Sequence, residues 1–144
     1  EGLASKLKKG TPWKVVNAFA DFSYVRDFEK KEYDHFHLLF VSKLDEIRGA
    51  DLIPELIEQL RNHHIPFTLT IAGYGPLKEK LTSLHNGEDI FFEGFVKEDY
   101  LEELARNADV GLVLQKPDHP FSKGSYPSKV MLYARFSCPV FTLC

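Results

Sequence analysis

The chain has 144 residues, of which 44% are hydrophobic and 27% charged, with a formal net charge of -3. That is enough chain for one domain with a sizeable core, and the near-neutral balance offers no broad basic field for nucleic acid. No apolar run approaches the ~20 residues needed to span a bilayer, and the opening "EGLASKLKKG" lacks the apolar core of a signal peptide.

The first stretch, residues 1–36, stands apart from the rest. "WKVVNAF" is a strand candidate, while "RDFEKKEYDHF" carries seven charges in eleven residues and reads as a solvated helix or linker face. From His37 onward, five short apolar runs follow: "HLLFVSK" (37–43), "FTLTIAG" (67–73), "DIFFEG" (89–94), "DVGLVLQ" (109–115) and "PVFTLC" (139–144). Several are continuous rather than alternating, as expected of strands covered on both faces in a parallel sheet.

Helix-period segments separate the runs. "ADLIPELIEQLRNHH" places Leu52, Ile53, Leu56, Ile57 and Leu60 on one face, with Pro54 in the first turn, where its missing N–H does little harm. "PLKEKLTSL" opens with Pro76, a good first helical residue. In "KEDYLEELARNA", Tyr100, Leu101, Leu104, Ala105 and Ala108 form a stripe behind a cap at Glu98 or Asp99, and "PSKVMLYARF" is the fourth helix candidate. Regular alternation of strand and helix predicts a Rossmann-like, doubly wound parallel α/β sheet. Phe91 and Phe92 are expected on opposite faces of their strand, each packed by helices. Cys138 and Cys144 bracket the last predicted strand, make no metal motif, and read as reduced core thiols in a cytosolic protein. His35 and His37 read as a structural pair rather than metal ligands.

Four stretches could carry chemistry, and each has a plainer alternative. Lys43 ends a predicted strand, and Arg48 precedes a helix. In an open parallel sheet ligands bind beyond the carboxyl ends of the strands, so these cations could hold a pyrophosphate, one as a point charge and one as a fork; alternatively they are exposed loop cations. Gly73 and Gly75 could let a ligand approach the backbone, or could simply make a tight strand-to-helix turn. Phe95 and Val96, after Gly94, could form a shelf beside a flat base or an apolar staple. In "FSKGSYPSK", Ser125, Tyr126, Pro127, Ser128 and Lys129 open a helix whose first N–H groups could bind an anion, or the serines could only cap it. All four stretches fall at the carboxyl ends of successive strands.

Together, residues 37–140 resemble the C-terminal, donor-binding half of GT-B fold glycosyltransferases, in particular the large retaining group 1, family 4-like enzymes. "SKLDEIRG" resembles a strand ending in G-R-L followed by K-G, with Ser42 in place of the glycine, Lys43 of the arginine and Arg48 of the lysine. Gly73, Gly75 and Pro76 match a G-x-G-P turn; Phe92, Gly94 and Val96 match F-x-G-x-V, a loop that lies by the nucleotide base in the family. Ala108, Asp109 and Val110 match an A-D-V strand. Pro127, Ser128, Lys129 and Tyr133 match P-S-K-x-x-E-Y, and Pro139 follows Lys129 by the family's ten residues. Leu132 stands where the family has a glutamate that accepts hydrogen bonds from the donor ribose. Gly124 stands where many members have a second glutamate.

The resemblance implies transfer of a sugar from a nucleotide diphosphate sugar to an acceptor with retention. Lys43 and Arg48 would stabilise the departing diphosphate, and Gly73, Gly75, Phe95, Val96, Ser125–Lys129 and Leu132 would line the donor site. It implies no metal and no cofactor beyond the donor substrate. Leucine cannot accept a hydrogen bond, and one to a charged group is worth about 1.5–3 kcal/mol. A non-catalytic binding or scaffold domain, or a GT-B sugar-nucleotide epimerase, therefore stay open as alternatives. The expected organisation is an interdomain connection and first strand region over 1–36 and a donor domain over 37–144, truncated at its end. A glycan, lipid-linked or small-molecule acceptor, and any peripheral membrane contact, would be met by a further N-terminal domain. Nucleic acid is not an expected partner, and a cytoplasmic location is.

Overall fold

The computed structural model describes residues 34–120, 122 and 127–143. The expectations for "WKVVNAF", for most of the charged run, and for Cys144 lie outside the described residues.

Five strands form one sheet: β1 (Phe36–Lys43), β2 (Phe67–Tyr74), β3 (Ile90–Gly94), β4 (Val110–Val113) and β5 (Val140–Thr142). Between them run α1 (Ile53–Asn62), α2 (Lys78–Thr82), α3 (Glu98–Asn107) and α4 (Lys129–Arg135), with one 3-10 turn at Ala50–Leu52. The spatial order is β3-β2-β1-β4-β5, and every neighbouring pair is parallel.

The continuous apolar run of β1 is explained by burial on both faces. Leu38 and Phe40, with Leu69 and Ile71 of β2, pack under Ile53 and Ile57 of α1 and Leu81 of α2. Leu39 and Val41, with Ala72 and Val113, pack under Ala105 of α3, Tyr133 of α4 and Phe136 just after it. Alternate side chains of one strand thus serve two separate cores. This is the doubly wound, Rossmann-like arrangement the alternation predicts.

The amino edge is closed by side chains. The His37 N–H donates to Asp109 Oδ2 at 2.8 Å, and the Asp109 N–H donates to the His37 carbonyl at 2.7 Å. The aspartate of the A-D-V motif therefore fixes the start of the β1–β4 pairing. The neighbouring His37 Nδ1 lies 2.7 Å from Thr68 Oγ1.

Several element ends differ from expectation for identifiable reasons. α2 begins at Lys78 rather than Pro76, because the Leu77 N–H is drawn to the Leu44 carbonyl and Lys78 N–H closes a tight turn on Gly75. α3 takes Lys97 as its extended N-cap, with Glu98 and Asp99 inside the first turn. α4 starts two residues after Pro127, since Val130 and Met131 N–H reach back only three residues, to Pro127 and Ser128. The last strand is not buried. β5 lies at the end of the described strand order, and Phe141 is 50% exposed. Cys138, just before it, is buried. Phe92 packs on the first core, but Phe91 is only half-buried and meets the His85 ring edge-on. Among the described residues no helix is long and apolar enough to cross a membrane.

Candidate functional site

The strand order reverses at β1. Earlier connections carry the chain to β2 and β3 on one side, and later ones carry it to β4 and β5 on the other. β1 stays paired with β2 as far as Lys43↔Tyr74, but its last registered pair with β4 is Phe40↔Leu112. Beyond Phe40 the two strands part. Between them lies a cleft of about 260 Å³, lined by the end of β1 (to Lys43), by the end of β4 and the following Leu114 and Gln115, by Arg48, and by Pro127, Ser128 and Lys129. Such a switch point is where open α/β sheets bind ligands.

Both candidate cations are in this lining, and they share one counter-ion. Asp45 is only 8% exposed. Its Oδ1 accepts the Arg48 backbone N–H at 3.0 Å, and its Oδ2 accepts from the Arg48 guanidinium at 2.8 Å and lies 3.5 Å from Lys43 Nζ. The Lys43 side chain remains half-exposed at 50%. Asp45 itself does not line the cleft; it sits behind the cations.

The loops that carry these groups are fastened by close backbone contacts. Gly49 has φ 72°, and a Cβ there would overlap the Leu114 carbonyl, so the Arg48 loop lies directly against the end of β4. Lys116 completes that seam: its N–H donates to Ile47 O at 3.1 Å, and its ammonium pairs with Asp51 at 2.7 Å. On the other side, Gly73 and Gly75 adopt φ 146° and 154°. The space a side chain would need there is filled by the backbone of Ser42 and Leu44. The Leu44 N–H also donates to Tyr74 O at 2.7 Å. What approaches these glycines in the structure is the Lys43 loop, and neither glycine lines the cleft.

Phe95 and Val96 separate. Val96 packs on the second core. Phe95 is 77% exposed, and its ring lies 6.2 Å from that of Tyr74, itself 60% exposed. This exposed aromatic pair stands at the carboxyl ends of β2 and β3, one strand away from Lys43. Tyr74 carried no signal in the sequence beyond its place in the G-x-G turn.

On the far side of the cleft, Pro127, Ser128 and Lys129, leading into α4, contribute to the lining. Ser128 is the N-cap residue but makes no side-chain capping bond, and the first turn contains no acid. The other three helices each carry at least one acid there. Ser125 and Tyr126 lie outside the described residues. Leu132 is partly buried against the second core and is not among the lining residues.

Tyr133 holds the helix in place. It is fully buried; its hydroxyl donates to Leu39 O at 2.9 Å and accepts from Val41 N–H at 3.3 Å. These two backbone groups flank Phe40, where the β1–β4 pairing ends. The ring fills the space over Gly111, where any Cβ would overlap it. Burial pushes the phenol pKa well above its ordinary value, against the weaker opposing effect of the Val41 hydrogen bond.

The lining thus offers three cations, Lys43, Arg48 and Lys129, and an uncommitted serine hydroxyl around a concave space. That inventory suits an anion with several oxygens. No curated protein matches the chain. The family model described as glycosyl transferases group 1 matches residues 35–142. The match spans the whole described sheet, and the all-parallel order with helices on both faces is that of a GT-B-type domain. On this match and this fold, the chain belongs to the group 1 glycosyl transferases.

Proposed function

We propose that this domain binds a nucleotide diphosphate sugar as donor, and that the protein transfers the sugar to an acceptor with retention. The observation that carries the reading is the placement of Lys43, Arg48 and Lys129 around one cleft at the β1–β4 switch point. As the glycosidic bond breaks, negative charge builds on the diphosphate. Cations already fixed by the fold stabilise that charge without reorganising, so they lower the barrier as well as binding the ground state. Ser128, whose hydroxyl makes no cap, adds a neutral donor to the lining. The exposed Phe95–Tyr74 pair, its rings tilted by 59°, offers an aromatic ring face on which the base can stack. The reading assigns donor binding to this domain, takes the acceptor to a second domain as the resemblance implies, and proposes a cytoplasmic location.

A second reading is favoured by one observation. Leu132, at the position of the family's ribose-binding glutamate, is committed to the second core. A domain that kept the fold and lost donor affinity would look like this.

Calorimetric titration with UDP, GDP, ADP and dTDP, beside a Lys43→Ala, Arg48→Ala double variant, separates the two. Saturable binding of one nucleotide, lost in the double variant, supports the donor site and identifies the base. Silence with all four at millimolar concentration overturns it in favour of the binding-module reading.

A further inference from the structure

We propose that Asp45 is a positioning residue that gathers Lys43 and Arg48 into a single preorganised anion-binding pair, and that removing its negative charge weakens anion binding. The inference rests on the reading that the cleft binds a diphosphate. It concerns a residue with no direct access to that ligand.

Simple electrostatics predicts the opposite. The three side chains sum to one positive charge, and deleting a carboxylate near an anion site raises the local potential. The geometry argues against that outcome. Asp45 is nearly buried, behind the lining rather than in it. One of its oxygens, Oδ2, lies within 3.5 Å of both cationic heads. Two like charges brought so close repel each other, and the shared carboxylate offsets that repulsion before any ligand binds. Its other oxygen holds the Arg48 backbone N–H at 3.0 Å, and its own carbonyl accepts the Ala50 N–H at 3.1 Å. The residue therefore sets the loop path and the side-chain directions together. Without it, Lys43 and Arg48 both lose this shared restraint, and each side chain the ligand must then fix costs about two- to twelvefold in affinity.

The test uses inorganic pyrophosphate as probe. Its affinity is measured by calorimetry at low salt for the wild type, Asp45→Asn and Asp45→Ala. In parallel, ¹⁵N relaxation of the Arg48 Nε–H is recorded without ligand. The asparagine variant keeps an acceptor for the Arg48 N–H, so it separates charge from loop shape; melting curves identify any variant that fails to fold. The expected result is binding at least about fivefold weaker in both variants, with a mobile Arg48 head group. Equal or tighter binding overturns the proposal and makes Asp45 a competing counter-ion. If the wild type does not bind pyrophosphate, the diphosphate reading fails. The relaxation data then decide the role of Asp45 alone: an Arg48 head ordered only when Asp45 is present sustains positioning, and equal order in wild type and variants refutes it.

Discussion

Replacing Tyr133 by phenylalanine removes one oxygen from the centre of the molecule. That oxygen donates to Leu39 O at 2.9 Å and accepts a longer bond from Val41 N–H at 3.3 Å, in a side chain with no solvent exposure. The ring and its contact with Gly111 are kept, so no cavity larger than the hydroxyl is made. A net hydrogen bond is worth about 0.5–1.5 kcal/mol, and leaving its buried partner unsatisfied adds to the loss. The expected destabilisation is about 1–2.5 kcal/mol, with a fall in Tm of roughly 3–4 °C per kcal/mol for a chain of this size. Urea unfolding followed by tryptophan-independent circular dichroism measures it directly. The alkaline limb gives a second signature. Burial raises the folded pKa of the phenol, so its contribution is complete below the unfolded value near about 10 and is lost as pH rises through the folded one. The phenylalanine variant should therefore show a shallower stability loss above pH ~10 than the wild type. A variant as stable as wild type, with an unchanged alkaline limb, would refute the assignment of Tyr133 as the tie between α4 and β1.

Leu132→Glu is expected to lose about 1–2 kcal/mol, from apolar area withdrawn from the second core, without tightening nucleotide binding. A tenfold gain in affinity at unchanged Tm would show that the position faces the donor after all. Gly49→Ala combines a left-handed backbone with overlap on Leu114, and should cost about 2–5 kcal/mol in chemical denaturation; a neutral result would mean that the two loops are not in contact. For Asp89, burial acts to raise its pKa, but hydrogen bonds from Asn86 and Arg61 outweigh it and leave it lowered. Its contribution is thus present above the ordinary carboxylate range and disappears as pH falls through the depressed value. Asp89→Asn should be less stable than wild type near neutrality and indistinguishable from it in strong acid, as melting curves across pH will show.

The sheet was legible because its signal is local. Four successive apolar residues, Leu38 to Val41, read as a strand covered on both sides, and all four are buried; the stripes of α1 and α3 follow the 3.6-residue period. The positions of Lys43, Arg48 and Lys129 at one end of the sheet follow from strand direction alone. Asp45 was not legible, since a charge between two cations in a polar loop reads as one more solvated residue until the loop closes on it. The glycines of the G-x-G turn were recognised as special, but whether ligand or protein backbone comes close depends on contacts with Ser42 and Leu44, distant in the chain. Phe141 shows the same limit from the other side. An apolar run declares strand propensity and says nothing of what covers it. Tyr133 matched a motif, yet its reach across to β1 is a property of the fold rather than of the spacing.

The seams around the cleft have a consequence for motion. Loops at the carboxyl end of such sheets are usually the first parts of a domain to open, and their amides exchange with solvent quickly. Here Leu44, Leu77 and Lys116 donate across the seams to Tyr74, Leu44 and Ile47, and Gly49, Gly73 and Gly75 leave no gap for water between the crossing backbones. Those three amides should exchange on the timescale of the central strands rather than of surface loops. The rim next to Lys43 and Arg48 would then open only with the sheet itself, so a ligand arriving there meets walls already in their final place.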